Sequence, residues 1–446
     1  MMRKRIKKAN IKYILIVLYF ISFSSVGKEK LSLKDCINIA IEKNISINNS
    51  SLDLLNSLEN KKIAIGNFLP SLNISGNHNW NSGLTQNITT GILENQTTES
   101  SSINMSVALN IFSGLENIRN LHRANLDVLA KKYQLADMKE DVSLLVANAY
   151  LQILFNQEQL EVQKSQLKIS KEELNIAKQK FENGVISQGD LYDIEANYAR
   201  GEKNLIVAEN NYQLSKISLG QLLMLSDIDN FEIEDNNYEI PKSKIVTKTA
   251  KEIFNEALKK RNDIKLAETN LEIAIKDHKI SKSALLPSAS AFYSYNSRVL
   301  MGQETSLKSQ FDLNTGKSIG VQLNIPILNG WFSRANIKKG QLNILRSENL
   351  LNQVKMDLKN TIYQALNDVK GAKKSFDAAK KAELARKSAY QYAKERFENG
   401  ALNTINYFQA KQLFETAQSD LITAKYDYIF KIKVLEFYFG ITSLEI

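Results

Sequence analysis

The feature that most constrains this chain is an internal duplication. Leu69-Pro70-Ser71 recurs as Leu286-Pro287-Ser288 at an offset of 217, and Phe181-Glu182-Asn183-Gly184 recurs as Phe397-Glu398-Asn399-Gly400 at an offset of 216. The 216 offset also relates the pairs Leu205/Leu421, Ala208/Ala424, Tyr212/Tyr428 and Leu219/Leu435. A series of matches in conserved order indicates two copies of one structural unit, with a one-residue slip between residues 71 and 181.

Each copy has the pattern helix, strand, loop, strand, long helix, turn, helix. We expect the first repeat over residues 28–225 and the second over 248–446, each beginning with one helix, at about 34–67 and 248–284. These helices are predicted to end just before Pro70 and Pro287, because a residue that precedes proline disfavours the helical conformation. Residues 226–247, which contain Pro241 and many Asp and Asn residues, are predicted to be a surface linker.

Strict alternation predicts four strands, at about 71–81, 102–112, 288–297 and 318–328. A polar loop of about twenty residues is expected between the first two. One face of these strands is apolar, and the other consists mostly of Asn and Ser. The apolar face comprises Leu72, Ile74, Gly76, His78, Trp80, Ile103, Met105, Val107, Leu109, Ile111, Ala289, Ala291, Tyr293, Tyr295, Ile319, Val321, Leu323, Ile325 and Ile327.

This alternation suits either a half-buried sheet in a soluble domain or a membrane barrel. Three features favour the barrel: the uncharged polar face, strand lengths of about ten residues, and aromatic residues placed for the membrane interface at Trp80, Tyr293 and Tyr295. Four strands cannot close a barrel, and open edges are not tolerated in lipid. Several chains must therefore share one barrel, with two chains giving eight strands and three giving twelve.

The remaining segments predict long helices at 116–181, 187–223, 332–397 and 403–439. Residues 116–181 contain neither proline nor glycine, so a single helix there would be roughly 100 Å long. This helix is apolar on two faces and should have neighbours on both sides. The returning helix carries a coiled-coil seam with alternating spacings of three and four residues. The first face has Leu160, Leu167, Leu174 and Phe181, and the second has Val162, Ile169 and Ile176.

The N-terminus is typical of a secretory signal peptide. Six basic residues precede the apolar stretch 13–23, and we place the cleavage after Gly27. The net charge of +10 then falls to +4, because residues 1–27 carry six basic and no acidic groups, and no nucleic-acid partner is expected. Cys36, the only cysteine, is expected to be a small apolar helix residue.

The sequence contains no pattern typical of catalysis. His78, His122 and His278 lack metal-ligand spacing, and there is no phosphate-binding glycine loop or nucleophile elbow. We therefore expect no enzymatic activity, no cofactor and no metal. A competing interpretation from another class is a periplasmic coiled-coil adaptor or scaffold, which would also be secreted and helical. It would not be expected to carry four amphipathic strands in duplicated order.

Together, the signal peptide, the duplicated order of elements, the Leu-Pro-Ser junctions and the Phe-Glu-Asn-Gly turns resemble the TolC-like outer-membrane efflux family. The resemblance covers residues 30–440. It implies a mostly helical homotrimer in which a twelve-stranded β-barrel in the outer-membrane lipid continues into a long helical barrel in the periplasm. It also implies a passive exit duct that works with a periplasmic adaptor and an inner-membrane transporter. Drug efflux and type I protein secretion remain open as alternatives.

The resemblance also assigns sites to the two helical turns. The tips would contact the adaptor, and they comprise Gly184, Val185, Ile186, Gly400, Ala401 and Leu402. The periplasmic gate would involve Asp190, Asp193, Asn406 and Gln409, with amides in the second hairpin where carboxylates are expected. The alternatives are that the two glycines simply terminate helices and that Asp190 caps a helix.

Overall fold

The computed structural model describes residues 30–86, 90–228, 231–234, 240–241, 243–302 and 305–439, so the predicted signal peptide lies outside the described residues. The first half comprises β1 (Lys30–Leu31), α1 (Leu33–Lys43), α2 (Ile45–Gly66), β2 (Ser71–Gln86), β3 (Leu93–Ser113), α3 (Glu116–Glu182) and α4 (Gln188–Leu222). The second comprises β4 (Glu232–Ile233), a 3-10 helix (Lys244–Thr247), α5 (Ala250–Lys260), α6 (Asn262–Ser283), β5 (Ser288–Leu300), α7 (Leu307–Leu313), β6 (Thr315–Asn324), α8 (Phe332–Glu398) and α9 (Thr404–Tyr438).

The long helices come in two matched pairs. Helices α3 and α8 each have 67 residues, and α4 and α9 each have 35. Among the described residues, no helix is long and apolar enough to cross a membrane.

The chain divides into two compact units that cut across the repeats. The first unit comprises residues up to 49 together with 136–261 and 357–446. In it β1 pairs in parallel with β4, and the Tyr150 hydroxyl donates to the Glu234 carbonyl at 3.1 Å. Fully buried apolar side chains of α3, α4, α5 and α9 pack in the same unit, among them Ile153, Leu219, Ile253 and Ile432.

The second unit, residues 50–135 and 262–356, contains a four-stranded antiparallel sheet in the order β2-β3-β5-β6. Ion pairs join its helical segments: Arg123 contacts Asp277 at 2.8 Å, and Lys131 contacts Asp53 at 3.1 Å. The β3–β5 ladder contains an irregularity between Asn110 and Phe112, where the register shifts by one residue.

The structure corrects the predicted single helix at the start of each repeat. The first helix is interrupted at Asn44 and the second at Arg261, both of which have extended backbone. The Asn44 side chain accepts from the Ser46 amide at 2.9 Å and so starts a new helix without any proline or glycine. Arg261 follows Asn44 by the repeat offset of 217, so the break itself is duplicated.

The strand lengths and the linker also differ from the predictions. Strands β2 and β3 have 16 and 21 residues. They include most of the predicted polar loop, because its Asn, Ser and Thr residues continue the antiparallel ladder. In the second repeat the predicted loop contains α7. Strand β6 ends at Asn324, two residues before Pro326, whereas the prediction extended it to residue 328. The predicted linker contributes β4 and the 3-10 helix.

Candidate functional site

The sheet has two chemically different faces, and its register shows that each face is continuous across all four strands. Directly opposed residues of antiparallel strands point to the same face. Leu72 is opposite Val107, Val107 is opposite Tyr293, and Tyr293 is opposite Ile319, which gives one apolar row across the sheet. The next residue along each strand gives a polar row, Asn73, Ser106, Ser294 and Ser318. The register therefore agrees with the predicted faces for the residues inside the ladder, whereas Ile325 and Ile327 lie beyond the end of β6.

The apolar face is open in a single chain. Side chains of Ile319 (85%), Ile74 (69%) and Val321 (68%) are exposed although they are large and apolar. Contiguous exposed apolar surface of this kind marks an interaction site in a protein. The opposite face carries hydroxyls and amides, such as the Ser294 and Ser318 hydroxyls 2.6 Å apart. The sheet therefore presents one face suited to lipid and one suited to water.

The two edges of the sheet are open as well. Within the described residues, neither β2 nor β6 pairs with a further strand on its outer side. Unpaired backbone amides and carbonyls are costly in a lipid environment, so the sheet requires strands from another molecule.

Two of the three histidines contact polar groups of the protein itself. His78 Nε2 lies 3.1 Å from a Glu99 carboxylate oxygen, and His278 Nδ1 lies 3.1 Å from the Ile337 carbonyl. Across the part of the chain that the structure describes, no cluster of three or more His, Cys, Asp or Glu side chains is placed to hold a metal ion.

The turns that join the long helices have the same geometry in both repeats. Gly184 and Gly400 both have φ of 71°. The amide of Val185 donates to the Lys180 carbonyl at 2.8 Å, and the amide of Ala401 donates to the Arg396 carbonyl at 2.8 Å. This pattern satisfies the last carbonyls of each helix and needs a residue that tolerates left-handed backbone, which explains both glycines.

At the turns, the structure separates exposed from packed residues. Val185 (67% exposed) and Ala401 are open to solvent. Ile186 is half-buried and packs against a buried cluster formed by Leu174, Ala177, Leu191 and Ile194, and Leu402 is also half-buried. Of the residues predicted for the gate, Asp193, Asn406 and Gln409 are exposed.

Asp190, the fourth residue predicted for the gate, is engaged in the first turn. Its Oδ2 accepts from the Ser187 hydroxyl at 2.7 Å and from the Ser187 amide at 3.4 Å. The Asp190 amide donates to the Ser187 hydroxyl at 3.1 Å, which completes a capping box at the start of α4. Its Oδ1 accepts from the Thr404 hydroxyl at 2.7 Å, which ties α4 to the first residue of α9. The hydrogen bonds from the Ser187 and Thr404 hydroxyls lower the pKa of Asp190 below its ordinary value, and the bond from Ser187 contributes more.

A buried ionic cluster near the turns was not found from the sequence. Lys411 on α9 is 7% exposed and donates to Glu173 Oε2 on α3 at 2.5 Å and to the Ser170 hydroxyl at 2.9 Å. The Tyr407 hydroxyl donates to the other oxygen of Glu173. Glu415 lies 3.9 Å from Lys411. The sequence feature that could have indicated this cluster is the position of Lys411 four residues after Tyr407, on the same buried face of α9.

Burial shapes the titration of this cluster. It raises the pKa of Tyr407, and the charge of Glu173 adds to that effect. Burial also raises the pKa of Glu415, which Lys411 only partly offsets. Tyr407 therefore stays protonated at neutral pH and can donate its hydrogen bond to Glu173.

Further polar contacts extend along the same pair of helices. Gln159 of α3 exchanges two hydrogen bonds with Ser419 of α9, both 3.2 Å long. Glu158 accepts from Lys425 at 2.9 Å. On its other side α3 meets α4, where the Asn156 amide donates to the Asn211 carbonyl at 3.1 Å. Helix α3 therefore has neighbours on two sides, as its two apolar faces predicted.

A four-stranded sheet with a lipid-type face, a water-type face and open edges, in a chain with duplicated long helical hairpins, defines an outer-membrane channel subunit. The sequence profile of the family described as "Outer membrane efflux protein" matches residues 36–223 and 253–438. The chain belongs to the outer membrane efflux protein family.

Individual relatives agree with this assignment. The outer membrane protein TolC of Escherichia coli is 21% identical over 425 residues, which cover 93% of this chain and 83% of that protein. The crystal structure of the Campylobacter jejuni CmeC outer membrane channel shares the fold with a TM-score of 0.75, 18% identity, and coverage of 92% and 85%. The outer membrane protein VceC of Vibrio cholerae has a TM-score of 0.76, 14% identity, and coverage of 92% and 96%.

The chain is thus an outer-membrane channel component of a tripartite efflux system, with its helical part in the periplasm. Proteins of this family are trimeric, and they work with adaptors and inner-membrane transporters.

Proposed function

We propose that three copies of this chain close one barrel of twelve strands and form a passive exit duct that carries out no catalysis. The observation that supports this most directly is the four-stranded sheet, whose faces suit lipid and water and whose edges are open. Three such sheets provide twelve strands. The duct would receive substrates from an inner-membrane transporter through a periplasmic adaptor.

Fractionation and export assays test this proposal together. The chain should sediment with outer membranes, resist extraction by high salt, and restore export when expressed with its own adaptor and transporter in cells that lack an exit duct. A soluble chain, or one released by mild salt, would instead support the periplasmic scaffold.

We also propose that the two turns are the adaptor-contact tips, with Val185 and Ala401 as the outermost apolar contacts. Their exposure supports this role, since each directly follows a turn glycine and is open to solvent. Ile186 and Leu402, which are half-buried, would contribute mainly by holding the turns in shape.

The test is to replace Val185 and Ala401 with aspartate. Export should be lost while trimers still accumulate in the outer membrane. The matched control replaces the exposed residues Asn175 and Gln391 with aspartate, which adds the same charge at equivalent positions of α3 and α8 and should leave export unchanged. Normal export by the double variant of Val185 and Ala401 would contradict the adaptor-contact assignment.

For the gate, we propose that Asp190 acts as a link between the two hairpins and leaves Asp193 as the free carboxylate of the predicted set. The two hydrogen bonds of Asp190 support this assignment. In single-channel recordings, Asp193→Asn should reduce the preference for cations, whereas Asp190→Asn should change the frequency of channel opening more than the ion preference. An unchanged cation preference in the double variant would remove the carboxylate ring altogether.

A further inference from the structure

The internal duplication indicates how the open edges of the sheet pair between neighbouring protomers. The internal β3–β5 junction joins the strands of the first repeat to those of the second. The junction between protomers must join the second repeat of one chain to the first repeat of the next. The two junctions are therefore equivalent under the repeat, and the observed one predicts the other.

The register within each β-hairpin, β2–β3 in the first repeat and β5–β6 in the second, shows which strands correspond. Ser71 pairs with Ala108 in the first hairpin, and Ser288 pairs with Asn324 in the second. Strand β2 therefore corresponds to β5 at an offset of 217 (288 minus 71), and β3 corresponds to β6 at an offset of 216 (324 minus 108). The one-residue slip of the duplication thus falls between the two strands of each hairpin.

We propose that β6 of one protomer pairs antiparallel with β2 of the next in the register that places Gln322 opposite Asn77. In the observed junction Ser106 pairs with Ser294. Adding 216 to the first number and subtracting 217 from the second gives residues 322 and 77. This proposal rests on the proposed function, because it requires copies of the chain to share one barrel.

The direction of the backbone hydrogen bonds independently limits the register. The Leu300 amide donates to the Gln310 side chain, on the β6 side of β5, whereas the Met301 amide donates to the Glu99 carbonyl of β3. Even-numbered residues of β5 therefore point their backbone groups to β6, and odd-numbered residues point to β3.

Carried across the sheet, this alternation leaves odd-numbered residues of β6 and even-numbered residues of β2 with backbone groups directed to the open edges. An intermolecular ladder must pair odd with even residues, and the proposed register does so. The same condition keeps each face continuous across the junction, since the odd positions of β6 and the even positions of β2 both lie on the lipid-type face. Registers shifted by two residues also meet this condition, and only the duplication distinguishes among them.

The proposed register brings together two large apolar side chains that are exposed in the single chain. It places Ile319 opposite Trp80, both of which are open in the single chain. It also places Leu323 opposite Gly76, which repeats the observed pairing of Gly76 with Ile103 in the β2–β3 hairpin. Cross-strand pairs of an aromatic with a β-branched residue are among the favourable ones in antiparallel sheets.

Cysteine cross-linking in the full-length chain tests the register. Gln322 and Asn77 form a pair without direct backbone hydrogen bonds in the proposed ladder, and such pairs have the closest Cβ atoms. The two residues of one chain are separated by three strand spacings, about 14 Å, which no disulfide spans. A disulfide between them must therefore join two chains.

The native Cys36 does not interfere with this test, because it is buried and burial raises its pKa to about 12. We expect N77C with Q322C to oxidise rapidly into a covalent species of three chains on a non-reducing gel. The matched controls, S75C with Q322C and N79C with Q322C, should give at least tenfold less product at the same time point.

Preferential cross-linking of either control pair would overturn the register, and so would the absence of any cross-link in a chain that still forms trimers. A covalent species that ends at two chains would support the register and contradict the threefold ring of the proposed function. A chain that forms no oligomer would overturn both.

Discussion

Lys411 offers the sharpest test of how the helical hairpins are held together. The variant Lys411→Met keeps the length of the side chain and removes its charge. In the structure the Lys411 side chain is 7% exposed, and its ammonium lies 2.5 Å from a carboxylate oxygen of Glu173, whose side chain is 18% exposed. Without it, a largely buried carboxylate loses its hydrogen bond from Lys411, although Tyr407 still donates to it.

The expected cost follows from that environment. Removal of one partner of a buried ion pair costs roughly 3–5 kcal/mol, because the other charge is left uncompensated. The remaining Tyr407 hydrogen bond places this site at the lower end, about 3 kcal/mol. Since about 1.4 kcal/mol corresponds to a factor of ten, local opening of the start of α9 should become about 100-fold more frequent.

Amide hydrogen exchange read by mass spectrometry measures this opening directly. Peptides that cover residues 404–412 and 168–176 should exchange about 100-fold faster in Lys411→Met, and export channels should open more often in recordings. Lys425→Met is the matched control, since Lys425 is on the same helix and pairs with Glu158 in a more exposed setting. An exposed pair contributes at most about 1 kcal/mol, so the control should change exchange by less than about fivefold.

A second variant separates charge from packing. Glu173→Gln in the Lys411→Met background removes the charge of Glu173, the nearer of the two carboxylates that Lys411 contacts, and keeps an acceptor for Tyr407. The same peptides should exchange at least tenfold more slowly in this double variant than in Lys411→Met. Exchange in Lys411→Met within threefold of the wild-type rate, or no recovery in the double variant, would refute the assignment of this ion pair as a link between α3 and α9.

Three further predictions concern the sheet, the cap and the turns. Val321→Arg should cost up to about 2–4 kcal/mol of barrel stability and reduce assembled trimers on gels, whereas Ser106→Arg on the polar face of the internal strand β3 should assemble normally. Because the pKa of Asp190 is lowered, the wild-type protein should be more stable than Asp190→Asn at pH values above the ordinary aspartate pKa. This difference should disappear as the pH falls through the lowered pKa of Asp190, and melting curves from pH 6 to pH 2 would measure it. Gly184→Ala should lower the melting temperature by forcing a side chain into left-handed backbone at a cost of about 1–2 kcal/mol, whereas Gly371→Ala, with open space in the middle of α8, should raise it; equal effects would contradict the turn geometry.

The faces of the strands could be predicted from the sequence, because alternation with a period of two depends only on local order. The register then placed Leu72, Val107, Tyr293 and Ile319 in one row. The ends of the strands could not be predicted in the same way. The stretch after Asn81 is mostly polar and lacks the signal that separates a strand from a loop, yet the structure pairs it with residues 93–97 of β3.

The breaks at Asn44 and Arg261 were missed for a related reason. Neither residue is proline or glycine, and the first break depends on the Asn44 side chain accepting from amides of the next helix. The Glu173–Lys411 contact joins residues 238 positions apart, so no local pattern reveals it. Asp190 shows the converse case. Its spacing from Ser187 is a capping box that could be read directly from the sequence, and the structure adds the bond to Thr404.

The most direct test of the central claim is the number of chains in the membrane-extracted particle. Four strands per chain and a closed barrel require that chains associate, and the family assignment sets the number at three. Native mass spectrometry of the detergent-extracted protein should give a mass of three mature chains, without monomers at low concentration. A particle of two chains, or a stable monomer that remains in the membrane, would contradict the account of a shared twelve-stranded barrel.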